Sequence, residues 1–201
     1  MSETATDEIA VLEALGIALD GPRQGEIDAA CAQIARRIVG ERVRVIGFVP
    51  GDDRVAVPPL LIHLGLALCN LTGGTVAVVD ANVRYPGLPQ LNRGLDADHE
   101  ETVFSTRWLR GSLALLSPPR VERAGDVVPQ LTRVLVEGAD LFAHVLVDLT
   151  GFELLGEHAN AASGMDAVAV VGRAHRTREH ELVALAEAMP YGRFLGVLLV
   201  G

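Results

Sequence analysis

The sequence predicts an α/β fold: a doubly wound, mainly parallel sheet with helices on both faces. Short, largely apolar runs at 43–49, 75–79, 144–149 and 167–171 alternate with helical stretches, and strands apolar on both sides belong in a sheet covered on both faces. A length of 201 residues, 49% of them hydrophobic, is enough for one well-packed domain. No internal repeat, low-complexity tract or linker interrupts the alternation.

Residues 5–19 carry Ile9, Leu12, Leu15 and Leu19 at helical spacing, and Asp20-Gly21-Pro22 ends that helix. Residues 1–24 therefore read as an N-terminal helical extension and 25–201 as the α/β domain. The next helix puts Ile27, Cys31, Ile34 and Ile38 on one face, leaving Glu26, Asp28, Arg36 and Arg37 to solvent or a partner. After strand 43–49 comes a glycine-started loop. The helix that follows, over 59–68, is apolar on nearly every side and so buried, and Pro58 and Pro59 mark its start. Thr72-Gly73-Gly74 turns into strand 75–79, which ends at Asp80. Pro86, Gly87 and Pro89 open a loop-rich region reaching to about Gly111.

Residues 113–116 read as a short strand stopped by Ser117-Pro118-Pro119, and 126–143 as a helix with Pro129 in its first turn. Strand 144–149 carries Asp148 near its end, and residues 153–163 read as helical. After strand 167–171, Thr177 is expected to cap a helix running to about Met189, with Glu179 and Glu181 in its first turn. The last strand is 195–200.

A formal charge of −9 and a pI near 5.1 repel phosphate backbones and anionic headgroups, so neither nucleic acid nor a membrane surface is an expected partner. Aromatic residues make up 4%, few for stacking on single strands. The acidic start MSETATDEIA is no signal peptide. The longest apolar run, 60–71, is broken by His63 and Asn70 and falls short of the roughly 20 residues that span a bilayer. A cytoplasmic protein without direct membrane insertion is expected, with Cys31 and Cys69 reduced and structural.

In such sheets ligands bind at the carboxyl ends of the strands, where Gly51, Asp80 and Asp148 converge. A phosphate-binding loop at Gly51 would need further glycines so that backbone N–H groups converge, a lysine for the phosphates and a Ser or Thr hydroxyl for magnesium. The chain instead continues Asp52, Asp53, Arg54, Val55, Ala56, Val57, Pro58, Pro59. All 17 basic residues are arginine, so no lysine exists to fill the role.

The segment Val76-Ala-Val-Val-Asp80-Ala-Asn82-Val-Arg84-Tyr-Pro86 resembles the second Walker motif of the bacterial tyrosine kinases, a branch of the MinD/ParA-like P-loop ATPases. Phe48-Val-Pro-Gly51 lies where that family's phosphate loop begins, and His144-Val-Leu-Val-Asp148 lies where its Walker B strand would be. The run 170–177 and the strand at 195–200 follow its last two strands, and the resemblance spans residues 25–201. It implies a P-loop NTPase-like fold, with Gly51, Asp52, Asp53, Arg54, Asp80, Asn82, Arg84 and Asp148 at the positions of its nucleotide site.

The departures from the family pattern imply a site that has lost its chemistry. The lysine position falls on Ala56 or Val57 and the hydroxyl position on Pro58 or Pro59. Asn82 replaces the second acid, and two aspartates would face a triphosphate. The family's arginine-bearing oligomerisation helix has a counterpart only at Glu26, with Ala29 and Ala32 at the arginine positions. Its tyrosine cluster has no counterpart either, Tyr85 and Tyr191 being the only tyrosines.

The expectation is a pseudo-ATPase or pseudokinase without ATP, magnesium or catalytic residues, acting as a scaffold or adaptor. Its partner would be a protein, such as an active paralogue or a membrane-associated envelope component. The alternative is an atypical nucleotide switch using Arg54 or Arg84 for the lysine, with Asp80 and Asp148 on magnesium. Asp80 and Asp148 read equally as strand-end polarity satisfied by backbone donors. Arg84 reads as a loop anchor, His63 as a buried hydrogen-bonded histidine, and His175 and His180 as solvated surface. Trp108 is either a core plug or a partner anchor.

Overall fold

The computed structural model describes residues 12, 17, 21–52, 54–82, 104–117, 127–152 and 158–201. In chain order the elements are α1 (Gln24–Glu41), β1 (Val45–Pro50), α2 (Val57–Thr72), β2 (Val76–Asp80), β3 (Ser105–Leu109) and β4 (Leu113–Ser117). They continue as α3 (Val127–Gly138), a 3-10 turn (Ala139–Leu141), β5 (His144–Asp148), α4 (His158–Ser163), β6 (Ala167–Arg173), α5 (Glu179–Ala188) and β7 (Phe194–Val200). The strands form one seven-stranded sheet in the order β3-β4-β2-β5-β1-β6-β7. Every pairing is parallel except β3 with β4. This is the α/β architecture that the unbroken apolar strands predict.

Alternation along each strand divides the core into two layers. On the first face Ile46, Phe48, Val78, Leu115 and Leu146 pack with Ala35 and Ile38 of α1 and Leu61, Leu64 and Leu68 of α2. Leu12 and Ile17, from the N-terminal segment, join this same layer. On the second face Val49, Val79, Leu116, Val147 and Val168 pack with Leu131 of α3, Ala162 of α4 and Leu185 of α5. The connection leaving β1 therefore crosses the first face, while those leaving its two neighbours, β5 and β6, cross the second. Diverging connections open a crevice at the carboxyl end of β1, the position at which open α/β sheets bind ligands.

Several local expectations are corrected. The loop-rich region contains an edge strand, β3, joined to β4 by a tight turn with φ of 49° at Arg110 and 68° at Gly111. Both positive angles belong to the hairpin turn that matches strand twist, here built with Arg-Gly instead of the usual Asn-Gly. Ile27 is exposed, because α1 turns Cys31, Ala35 and Ile38 to the sheet. Helix α2 starts at Val57, ahead of Pro59. Helix α3 ends at Gly138, short of the expected Ala143. The N-cap of α5 is Arg178, not Thr177, whose hydroxyl is engaged elsewhere. No helix among the described residues is long and apolar enough to cross a membrane.

Candidate functional site

The crevice at the end of β1 is occupied by the chain's own side chains. The Gly51 N–H donates to the Val171 carbonyl at 2.6 Å, extending the β1–β6 ladder one step beyond the strand. A Cβ at position 51 would lie 2.9 Å from Leu182 Cδ2 and 3.0 Å from Thr177 Cγ2, so glycine here permits close packing against the start of α5. The position's small size is therefore accounted for without a phosphate.

Asp52 ties this loop to the β6–α5 connection. Its Oδ2 accepts from the Thr177 hydroxyl at 2.7 Å and from Arg173 Nε at 3.2 Å, and its Oδ1 lies 3.2 Å from Arg173 Nη2. The same Oδ1 accepts from the Arg54 N–H at 2.9 Å, closing a short Asx-type turn. Thr177 completes the ring by accepting from the Arg173 N–H at 2.7 Å. Burial pushes the Asp52 carboxyl upward, but the bonds from Thr177, Arg54 and Arg173 outweigh it and hold it below the ordinary carboxylate range.

The second half of the loop turns inward. Val55 and Val57 are buried in the first-face layer, while Ala56 at the helix N-cap is exposed and makes no side-chain cap. Pro58 and Pro59 carry no N–H, so two of the donors that a helix start offers to an anion are missing. Of the two candidate lysine positions, one is thus committed to the core. Asp53 and Arg84 lie outside the described residues.

Asp80 and Asp148 are brought together. They are register partners on adjacent parallel strands, both fully buried, and alternation directs both toward the α2 face. Asp80 Oδ1 accepts from the N–H of Asn82, itself buried, at 3.0 Å. Asp148 Oδ1 accepts from the N–H of Thr150 at 3.0 Å and from its hydroxyl at 2.5 Å. Each carboxylate thus serves a turn at the end of its own strand. No group of three or more His, Cys, Asp or Glu side chains with metal-holding geometry occurs among the described residues.

The remaining candidates disperse. His63 is half-buried and lines a polar cleft with Asp28, Arg36 and Arg110 between α1 and α2, which corrects the expectation of a core histidine. Burial lowers its pKa and Asp28 opposes the shift. His175 and His180 are exposed, as expected. Trp108 is 47% exposed on edge strand β3, its ring 6.1 Å from that of Phe142, so it is no core plug. Arg173 and Thr177 were missed as partners of Asp52. The only signal for them was a charged residue ending an otherwise apolar strand.

No protein-family model matches the sequence, and no curated protein matches it. Solved structures do. The BceF tyrosine kinase domain is 18% identical with a TM-score of 0.68, over 100% of this chain and 90% of that one. The VpsO kinase domain is 15% identical with a TM-score of 0.65, over 97% of each chain. The kinase domain of the Escherichia coli tyrosine kinase ETK is 13% identical with a TM-score of 0.63, over 85% of this chain and 75% of that one. The chain has the P-loop NTPase-like fold of these tyrosine kinase domains.

Proposed function

We propose that the chain is a tyrosine-kinase-like domain that has lost phosphate-loop chemistry and works as a protein-interaction scaffold or adaptor. The observation that carries this reading is the closed corner at residues 51–59. Asp52 is drawn into a ring with Arg173 and Thr177, Val55 and Val57 fill the core, and two prolines open α2. These residues do not fit a triphosphate. Convergent backbone donors and a lysine are replaced by Cβ-bearing residues, aspartate and apolar packing. Gly51, Asp52, Asp53, Arg54, Asp80, Asn82, Arg84 and Asp148 are then a vestigial nucleotide site. Its partner is a protein of an envelope or exopolysaccharide machine, either an active paralogue or a membrane-associated component, and it meets that partner in the cytoplasm. The likeness to tyrosine kinase domains supports this setting, and the charge of −9 disfavours nucleic acid.

Calorimetric titration with Mg-ATP and Mg-ADP tests the reading. No saturable heat is expected up to about 1 mM nucleotide, a Kd limit equivalent to roughly −4 kcal/mol. Micromolar binding or measurable turnover refutes it. One observation favours the second reading, an arginine-based nucleotide switch: Asp80 and Asp148 are adjacent and buried, as a magnesium site would require. On that reading Asp148→Asn abolishes a nucleotide-dependent rise in Tm, whereas on the first there is no rise to abolish.

A further inference from the structure

We propose that the cleft between α1 and the β6–β7 end of the sheet binds a small amphipathic anion, an aliphatic chain of about ten carbons ending in a carboxylate. The cleft has a volume of about 260 Å³. Ile34 of α1 and Leu198 of β7, both partly buried, form its sides, and the buried Ile38, Ile46 and Phe48 lie beneath as its floor. It exists because two residues facing it are small. Ala169 of β6 and Gly196 of β7 leave unfilled the space that larger side chains would occupy. A ligand fits by size: benzene, with six carbons, fills an engineered cavity of about 150 Å³, so this volume takes about ten.

The rim supplies the charge. β7 bulges at Leu195, with Phe194 opposite Val168 and Gly196 opposite Ala169. The Leu195 carbonyl accepts from Arg37 Nη2 at 3.0 Å. That bond anchors the guanidinium across the cleft from α1 to β7. A guanidinium has five N–H donors and stays protonated, and the Leu195 bond uses one of them. An apolar cleft rimmed by a held arginine matches an alkyl chain with a terminal carboxylate. The cleft holds about ten carbons, fewer than a membrane lipid carries, which favours a free small molecule over a lipid surface. The net charge of −9 opposes both anions alike, so the held guanidinium alone supplies the preference for a carboxylate. The inference is independent of nucleotide binding.

The test is calorimetry of the full chain with decanoate, decanol and decylamine below their aggregation concentrations, with amide NMR shifts followed at 195–198. Decanoate is expected to bind saturably at one site, about tenfold more tightly than decanol, and decylamine not at all. Arg37→Gln is expected to erase the preference for decanoate while leaving decanol binding unchanged. Ala169→Leu and, separately, Ile34→Trp are expected to weaken both ligands at least about tenfold by filling the cleft, with the circular dichroism spectrum retained. If Ala169→Leu does not fold, Ile34→Trp decides. Absence of saturable decanoate binding, equal affinity for decanol or decylamine, or full binding in the folded filled variants overturns the proposal.

Discussion

Val57 has no exposed surface and lies against Leu61 and the other apolar side chains of the first-face layer. Val57→Lys would restore a basic residue at a lysine position, yet it would press an ammonium into that layer. Burying an unpaired charge is among the few single changes that cost several kcal/mol. A loss of about 3 kcal/mol in urea unfolding is expected, with no gain in ATP affinity by calorimetry. Asp52 gives a second residue-scale prediction. Its side chain is 20% exposed and that of Arg173 31%, so the pair is partly shielded and Asp52→Asn is expected to cost about 1–2 kcal/mol. A carboxyl whose folded-state pKa is depressed stabilises the fold above its unfolded value, near 3.8, and that contribution is lost as pH falls through the folded value. The stability gap between wild type and Asp52→Asn is therefore constant between pH 5 and 7 and closes below about pH 4, as urea titrations at stepped pH will read.

The element that shapes the corner is α5, which packs Leu182 against both Gly51 and Gly172. Gly51→Ala is expected to destabilise by about 1–2 kcal/mol, because a methyl at 51 meets Leu182 Cδ2 at 2.9 Å and the Val171 carbonyl at 3.2 Å. Since the Leu182 atom ends a flexible side chain, Leu182→Ala should recover part of that loss in a double-mutant cycle of thermal or urea unfolding. This packing was not legible in the sequence, where a glycine after an apolar strand points equally to a phosphate loop. The buried strands were legible, because an unbroken apolar run needs cover on both faces. Edge strand β3 was not. Ser105-Thr-Arg-Trp108 is mostly polar, and its Arg-Gly turn lacks the usual hairpin residues.

At the scale of the whole molecule, both cysteines are buried, one on each helix of the first face, and Cys69 belongs to that layer's core. Burial pushes the Cys31 thiol up to about 11, with the Asp28 charge adding to it, and also raises that of Cys69. Neither should react appreciably with a thiol reagent at pH 8 in the native state, and both should label together as urea unfolds the chain, in step with the loss of circular dichroism. Labelling of one thiol well before the other would show that the first-face layer opens in parts. By itself the sequence determined the α/β class, the identity of the core strands and the absence of lysine, because hydrophobic period and residue chemistry are local properties of the chain. Only the tertiary structure decided where the side chains of the 51–59 loop go. Asp52 meets Arg173 and Thr177 from more than 120 residues away, and Val55 and Val57 are buried only because α1 and α2 lie over the same face of the sheet. Contacts between residues so distant in sequence depend on strand order and on which face each connection crosses, and neither is written in the neighbouring residues.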